Sequence, residues 1–321
     1  MKFFTFISGQ LFKKMPQKQK KISLIYFVIF TLLLVGLVPL VLTGWFLSEQ
    51  SAKELRAVEN RYQTQLVQEK ARQIEMFGQK YGDLVSGFAE ALELSGDISI
   101  LSSVQTEQKL GKTLKENPNL FALYVKPADS ESLSVYRTES ISRPELEMLA
   151  EETLQKTGKQ KLIFGEPTKI ESNKESVMTI AAPVLIGNSQ AATILAVVSL
   201  KEISRSVVGA KPISEEELWK SGLPIVFVVD DQGRAVFHPD ANLVANQKLL
   251  TNLRIVQEWQ EASRQIQSAL VPFTAEFSGE THEMIGAYST VSFSENLNFG
   301  VITMQDEKKA LASVGEMRRQ T

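Results

Sequence analysis

Residues 22–47 read ISLIYFVIFTLLLVGLVPLVLTGWFL, 26 consecutive positions without a charged side chain. A bilayer core is crossed by roughly 20 apolar helical residues at 1.5 Å each, so this stretch spans it with length to spare. Gly36 and Pro39 are tolerated in such helices, and Tyr26 and Trp45 sit near the ends, where amphipathic rings favour the interface. A cleavable leader has a shorter apolar run followed by a small-x-small site. This segment has neither feature and is expected to stay as an anchor. Lys2, Lys13, Lys14, Lys18, Lys20 and Lys21 precede it with no acid among them. Basic flanks stay cytoplasmic. The expected topology is a cytoplasmic basic tail at 1–21, a transmembrane helix at 22–47 and everything later on the outer face of a bacterial inner membrane.

The whole chain carries 35 basic and 37 acidic side chains, a net charge of −2. Setting the six tail lysines aside leaves 29 basic against 37 acidic residues, or −8, for the remainder. A mildly acidic globule has no basic face suited to phosphate neutralisation, so no nucleic-acid partner is expected. The absence of Cys excludes disulfides, thiolate metal sites and cysteine nucleophiles. At 321 residues with 43% apolar composition, the chain is long enough for two ordinary domains with their own cores.

Residues 48–95 contain no Pro and place apolar side chains at Leu55, Val58, Tyr62, Leu66, Ile74, Phe77, Tyr81, Leu84, Val85, Phe88 and Leu92. Steps of three and four predict a long stalk helix. It is either a face for a dimer partner or an amphipathic core helix, and the spacing fits both. After Gly96 the pattern turns to short β-branched and aromatic runs at 121–125, 133–138, 162–164, 177–185 and 192–200, separated by Pro127, Gly165, Pro167 and Gly187. Residues 143–159 read as a helix opened by Pro144 and closed by Gly158. A second set follows the polar 211–222. It holds a strand at 224–229, a turn at 230–233, a returning strand at 234–238, a largely helical 243–270, and strands at 273–277, 284–291 and 298–304. The expected class is α+β, with two tandem antiparallel-sheet modules at 96–210 and 211–305 and a juxtamembrane helix at 306–321.

The segments TIAAPV (179–184) and ATILAVVSL (192–200), then VVDDQGRAVFHP (228–239), GAYSTV (286–291) and FGVITM (299–304), resemble in order and spacing the hairpins of the double Cache family. That family comprises the tandem PAS-like extracytoplasmic sensors of bacterial chemoreceptors, sensor kinases and nucleotide cyclases. The resemblance covers roughly 48–315. It implies a membrane-distal module that binds a small metabolite, and ordinarily a second transmembrane helix and a cytoplasmic output domain beyond the last strand. With the chain ending at Thr321, it is expected to be a fragment or split gene, or to work through a partner that holds the output. The family's amine-binding pattern has a Trp-Tyr pair in the helical excursion and an Asp on the last distal strand. Here the excursion reads RPELEM (143–148), and Val197 stands at the Asp position.

Tyr136 and Arg137, with Tyr124 on the preceding strand, remain as candidate ligand contacts. A guanidinium grips a carboxylate through parallel hydrogen bonds, and a tyrosine adds a flat wall and a hydroxyl. The expected ligand is therefore a small molecule, an anion if Arg137 holds it; Arg137 paired with Glu131 or Glu139 is the structural alternative. No catalytic group is evident. His238 and His282 lie 44 residues apart, and no nucleophile elbow, phosphate loop or EF-hand pattern occurs. No metal or cofactor is expected. The sequence reads as the non-enzymatic, ligand-sensing input region of a transmembrane signalling protein, dimeric through the stalk helix. A membrane-anchored periplasmic scaffold that binds another envelope protein is the alternative.

Overall fold

The computed structural model describes residues 24–96, 99–100, 103–128, 131–155, 161–187, 189–262, 268–294 and 297–310. The basic tail at 1–21, Gly158 and the Arg318–Arg319 end of the juxtamembrane helix lie outside them. The chain divides into two compact units, residues 1–55 and 56–321. One helix, α1 (Leu24–Ser95), enters both.

Within the first unit, α1 is long and apolar enough to cross a membrane, with a mean hydropathy of 2.5 and side chains that no protein covers. Its hydroxyls are satisfied within the helix: Thr31 Oγ1 donates to the Phe27 carbonyl at 2.8 Å and Thr43 Oγ1 to that of Pro39 at 2.7 Å. Groups paired in this way cost little in hydrocarbon. Charge resumes at Glu49, which meets Lys53 at 3.0 Å.

The second unit is α+β, as the hydrophobic periods predict. Helix α2 (Val104–Glu116) precedes β1 (Leu120–Pro127) and β2 (Leu133–Tyr136). Then come α3 (Arg143–Gln155), β3 (Ile163–Phe164), β4 (Thr168–Lys169), β5 (Ser176–Ile186) and β6 (Ser189–Ser199). These strands form one antiparallel sheet in the order β2-β1-β6-β5-β3, with β4 also paired to β5. Two short helices, α4 (Lys201–Val208) and α5 (Glu215–Ser221), lead to β7 (Ile225–Asp230), β8 (Ala235–Phe237), α6 (Ala241–Ala245), α7 (Arg254–Glu261), β9 (Ser268–Phe277), β10 (Glu280–Ser294) and β11 (Leu297–Asp306). The second sheet runs β8-β7-β11-β10-β9.

The stalk is a core helix over its second half. Val67, Ala71, Ile74, Tyr81, Val85, Ala89 and Leu92 form one buried stripe and share a core with both sheets. At Gly78 the stripe becomes a notch. A Cβ there would lie 1.9 Å from Cε1 of Phe293, and the Phe293 ring packs 5.1 Å from Phe164 of the first sheet and 5.4 Å from Phe299 of the second. Two modules and the helix therefore meet on an aromatic seam that needs glycine. Four turns earlier in α1 the contact is polar. Gln63, fully buried, donates to Gln305 Oε1 at 2.6 Å, and Gln305 donates to the Gly222 carbonyl at 2.9 Å. Arg56 pairs with Glu307 at 2.9 Å. The first helical residues after β11 are thereby tied to α1.

Two expectations need correction. The sequence pattern marks no element at 97–120, and α2 lies there, capped by Ser103, whose hydroxyl accepts from the Thr106 N–H at 3.2 Å. Residues 243–270, expected to be largely helical, are helical among the described residues only at the end of α6 and in α7, and their last residues open β9. The Ala235 N–H donates to the Lys248 carbonyl and the Leu250 N–H to the Gly233 carbonyl, so residues 248–250, between α6 and α7, pair with the β8 hairpin. The backbone hydrogen bonds to the hairpin outweigh helical spacing there, and Gln247 takes a left-handed φ of 46° to permit them. The turn before β8 is as expected: Asp230 accepts from Gln232 N–H, Arg234 N–H and Arg234 Nε, and Gly233 adopts φ 77°.

Candidate ligand site on the first sheet

Alternation along β1 sends Leu123 and Val125 toward α1 and Ala122 and Tyr124 to the opposite face. Register then builds rows across the sheet. Tyr136, Ala122, Val197 and Thr179 form one, and Ser134, Tyr124, Leu195 and Ala181 the next. Tyr124 and Tyr136 are thus diagonal neighbours on one face, within reach of each other's rings. This face is covered by α3, whose Leu146, Leu149 and Ala150 pack on it with Ile141 and Ile170. Below the helix, Thr153 Oγ1 and Thr179 Oγ1 share a buried hydrogen bond at 2.8 Å.

Arg137 goes elsewhere. Its Nε donates to the Leu120 carbonyl at 2.9 Å, and one terminal nitrogen reaches the carbonyls of Leu114 at 2.5 Å and Asn117 at 3.4 Å. Leu114 and Asn117 belong to the end of α2, where helical carbonyls lack partners and a cation is favoured. The structure brings Tyr124 and Tyr136 together and commits the Arg137 guanidinium to the α2 terminus. A cation at the start of α3 is Arg143, whose guanidinium is held above its ordinary range chiefly by Glu147, with small contributions from Tyr136 and Tyr124. It is mostly exposed, and its Nε meets Glu147 at 2.9 Å.

Glu145 fixes α3 in place. Its carboxylate accepts from the N–H and hydroxyl of Ser142 and from Glu171 N–H, Ser172 N–H and the Ser172 hydroxyl. Burial pushes this carboxyl up, but the Ser142 and Ser172 hydrogen bonds outweigh it and hold it at about 2. The motif Ser142-x-x-Glu145 is a capping box legible in the sequence. Its second half, the clasp on the β4–β5 turn, is not, because those partners lie 26 and 27 residues away. The sequence-based expectations named neither Arg143 nor Glu145 as a candidate contact; for Glu145 the capping box was the signal at hand.

The two histidines have separate partners. His238 Nδ1 accepts from the Asp240 N–H at 2.9 Å, and His282 Nδ1 meets Asp306 Oδ2 at 2.9 Å with Trp219 beside it.

A family model described as Cache domain matches residues 51–314. Among solved structures, the chain is similar to the ligand-binding domain of the Pseudomonas aeruginosa amino-acid chemoreceptor PctB in complex with L-Arg. The two are 20% identical with a TM-score of 0.56, over 82% of this chain and 93% of that one. The ligand-binding domain of PctC from the same organism, in complex with GABA, is 19% identical with a TM-score of 0.52, over 77% and 100%. The sensory domain of the Campylobacter jejuni chemoreceptor Tlp3 with isoleucine bound is 12% identical with a TM-score of 0.56, over 81% and 97%. Identities this low establish shared fold alone. No match is found among curated protein sequences.

Proposed function

The chain belongs to the Cache domain family, and from that premise we propose that it is the extracytoplasmic input region of a transmembrane signalling protein, which binds a small ligand and does not transform it. The first sheet is its membrane-distal module and the second its membrane-proximal one, with 22–47 as the anchor and the N-terminus cytoplasmic. The observation that carries the reading is the placement of Tyr124 and Tyr136 on the one face of the sheet that α3 covers, with Arg143 at the first turn of that helix. Two aromatic walls and one cation suit a small carboxylate. Arg137 acts in this reading as a positioning residue that holds the β2 edge against α2. Val197 lies fully buried among apolar side chains, in agreement with a ligand that brings no ammonium group to that position.

The test is calorimetric titration of the full chain in nanodiscs with a panel of L-amino acids and short carboxylates. A carboxylate is expected to bind saturably. Tyr136→Ala and Arg143→Gln are each expected to weaken it about tenfold, the cost of one charge-assisted contact. Titrations that never saturate, or that both variants leave unmoved, would discard this site.

Signalling in this proposal passes through α1. Ligand shifts α3 on the distal sheet, the aromatic seam transmits the change to the proximal sheet, and the Gln63–Gln305 tie moves relative to the membrane. A ligand drives such a shift only by binding the two arrangements unequally. Leu55, Tyr62 and Met76 fall at intervals of seven and fourteen residues, and Tyr62 and Met76 are exposed, the register of a parallel helix pair. The chain has no native Cys, so single cysteines introduced across 55–81 report alone. Disulfide yield is expected to rise and fall with helical period and to peak at 55, 62 and 76. A flat profile would remove the dimer from the mechanism.

A further inference from the structure

A cleft of about 370 Å³ opens where α4 connects the two modules, a size and a place usual for small-molecule sites. Its floor and walls are apolar, with Leu200 and Val208 from one side of the connection and Val236, Phe237, Pro239 and Val244 from the other. Around them stand five cations: Lys169 and Lys174 at the β4–β5 turn, Lys201 and Arg205 on α4, and Lys211 in the segment after it. One acid lines the same space, Glu175, and it is already engaged by Lys201 Nζ at 2.5 Å and by the Ser199 hydroxyl at 3.0 Å. Lys169, Lys174, Arg205 and Lys211 have no carboxylate partner among the described residues.

Four unpaired cations around one apolar cleft repel each other and raise a positive potential that an anion relieves. A second observation concerns the backbone. Lys174 sits at φ 58°, in the left-handed region that a lysine adopts at a cost. The turn that imposes this is closed by the Glu175 N–H on Asn173 Oδ1 at 2.9 Å and the Ile170 N–H on the Glu175 carbonyl at 3.0 Å. It presents Lys174 to the cleft. Backbone held in this way at a cavity is a mark of binding sites.

We propose that this inter-module cleft is a second binding site, for a small organic dianion whose two charged ends are joined by an apolar stem. The cations supply the recognition of two negative groups, and the apolar walls favour methylene over a bare inorganic ion. Because both modules contribute walls, the bound anion holds them in one relative arrangement, independently of any ligand at the tyrosines.

Glutarate is the probe. The full chain in nanodiscs of zwitterionic lipid is titrated calorimetrically with glutarate, with the neutral diol of the same length and with inorganic phosphate, at matched ionic strength. Glutarate is expected to bind one-to-one, more tightly than phosphate, while the diol gives no signal. The variant Arg205→Gln/Lys211→Gln, at exposed positions and with an unchanged melting temperature, is expected to weaken glutarate by at least about tenfold. The second variant Lys169→Gln/Lys174→Gln should do the same from the other cation group, and Tyr136→Ala should leave binding intact. Equal affinity for phosphate would show that the walls play no part and would overturn the proposal. So would the absence of saturation at millimolar glutarate, or indifference to both charge variants. Loss of glutarate binding in Tyr136→Ala alone would assign the anion to the distal face and overturn the cleft site, while leaving the distal reading in place.

Discussion

Gly78→Leu will cost the folded unit at 56–321 about 3 kcal/mol, the upper part of what overpacking a filled core exacts. The Cβ alone would lie 1.9 Å from Phe293 Cε1. The ring has little room to yield, since Phe164 and Phe299 pack at 5.1 and 5.4 Å on either side of it. Either the ring leaves the seam or α1 withdraws, and both outcomes separate helix from modules. Adding Phe293→Ala removes the colliding atoms, so the double variant should recover part of the loss. Denaturant unfolding of the four members of the cycle measures this coupling. Simple additivity of the two costs would show that the notch and the ring do not oppose each other.

Acidification from pH 6.5 to 4 will remove roughly 3 kcal/mol through His238 alone, since each tenfold change in proton affinity is worth about 1.4 kcal/mol. The imidazole is 8% exposed. Burial pushes it down from 6.5 to about 4 and outweighs the opposing pull of Asp240, while Lys248 adds to the lowering. The folded protein therefore holds the neutral ring, and the unfolded chain takes up the proton first. Stability from this group is complete above pH 6.5 and drains away as pH falls toward 4. His238→Asn keeps an acceptor for the Asp240 N–H but cannot titrate, so its stability should lose that slope. Glu145 is held from 4.5 toward 2, so its contribution begins to fall near pH 4.5 and is lost toward 2, and it cancels in the comparison with His238→Asn. Acid-unfolding curves of wild type and His238→Asn that superimpose between pH 6.5 and 4 would refute the assignment.

Much of the architecture follows from patterns a few residues long. The apolar run at 22–47, the three-and-four spacing of the stalk, the alternation of β1, β5 and β6, and the Asp230–Gly233 turn are each set by local chemistry. The Cache resemblance was legible for the same reason, since its hairpins are local motifs. Of the candidate contacts, the shared face of the tyrosines was legible and the course of Arg137 was not. A period of two places Tyr124 and Tyr136 on a common face once β1 and β2 pair, but it cannot say where a long side chain ends. Arg137 was drawn to the carbonyls of α2, an element with no strong apolar stripe to announce it. The helical spacing of 243–270 held in α7 but was interrupted at 248–250 by pairing with a hairpin that precedes it in the chain.

What the amino-acid order determined by itself is the long apolar helical run, the class of each strongly periodic element and the turn chemistry, because those energies involve neighbours within one helical turn or one hairpin. Tertiary structure alone decided the aromatic seam at Gly78, the destination of Arg137, the clasp of Glu145 on a distant turn and the gathering of five cations around one cleft. Each of these joins groups that are remote in the chain, and such contacts exist only after long loops have closed and the two sheets have docked on a shared helix.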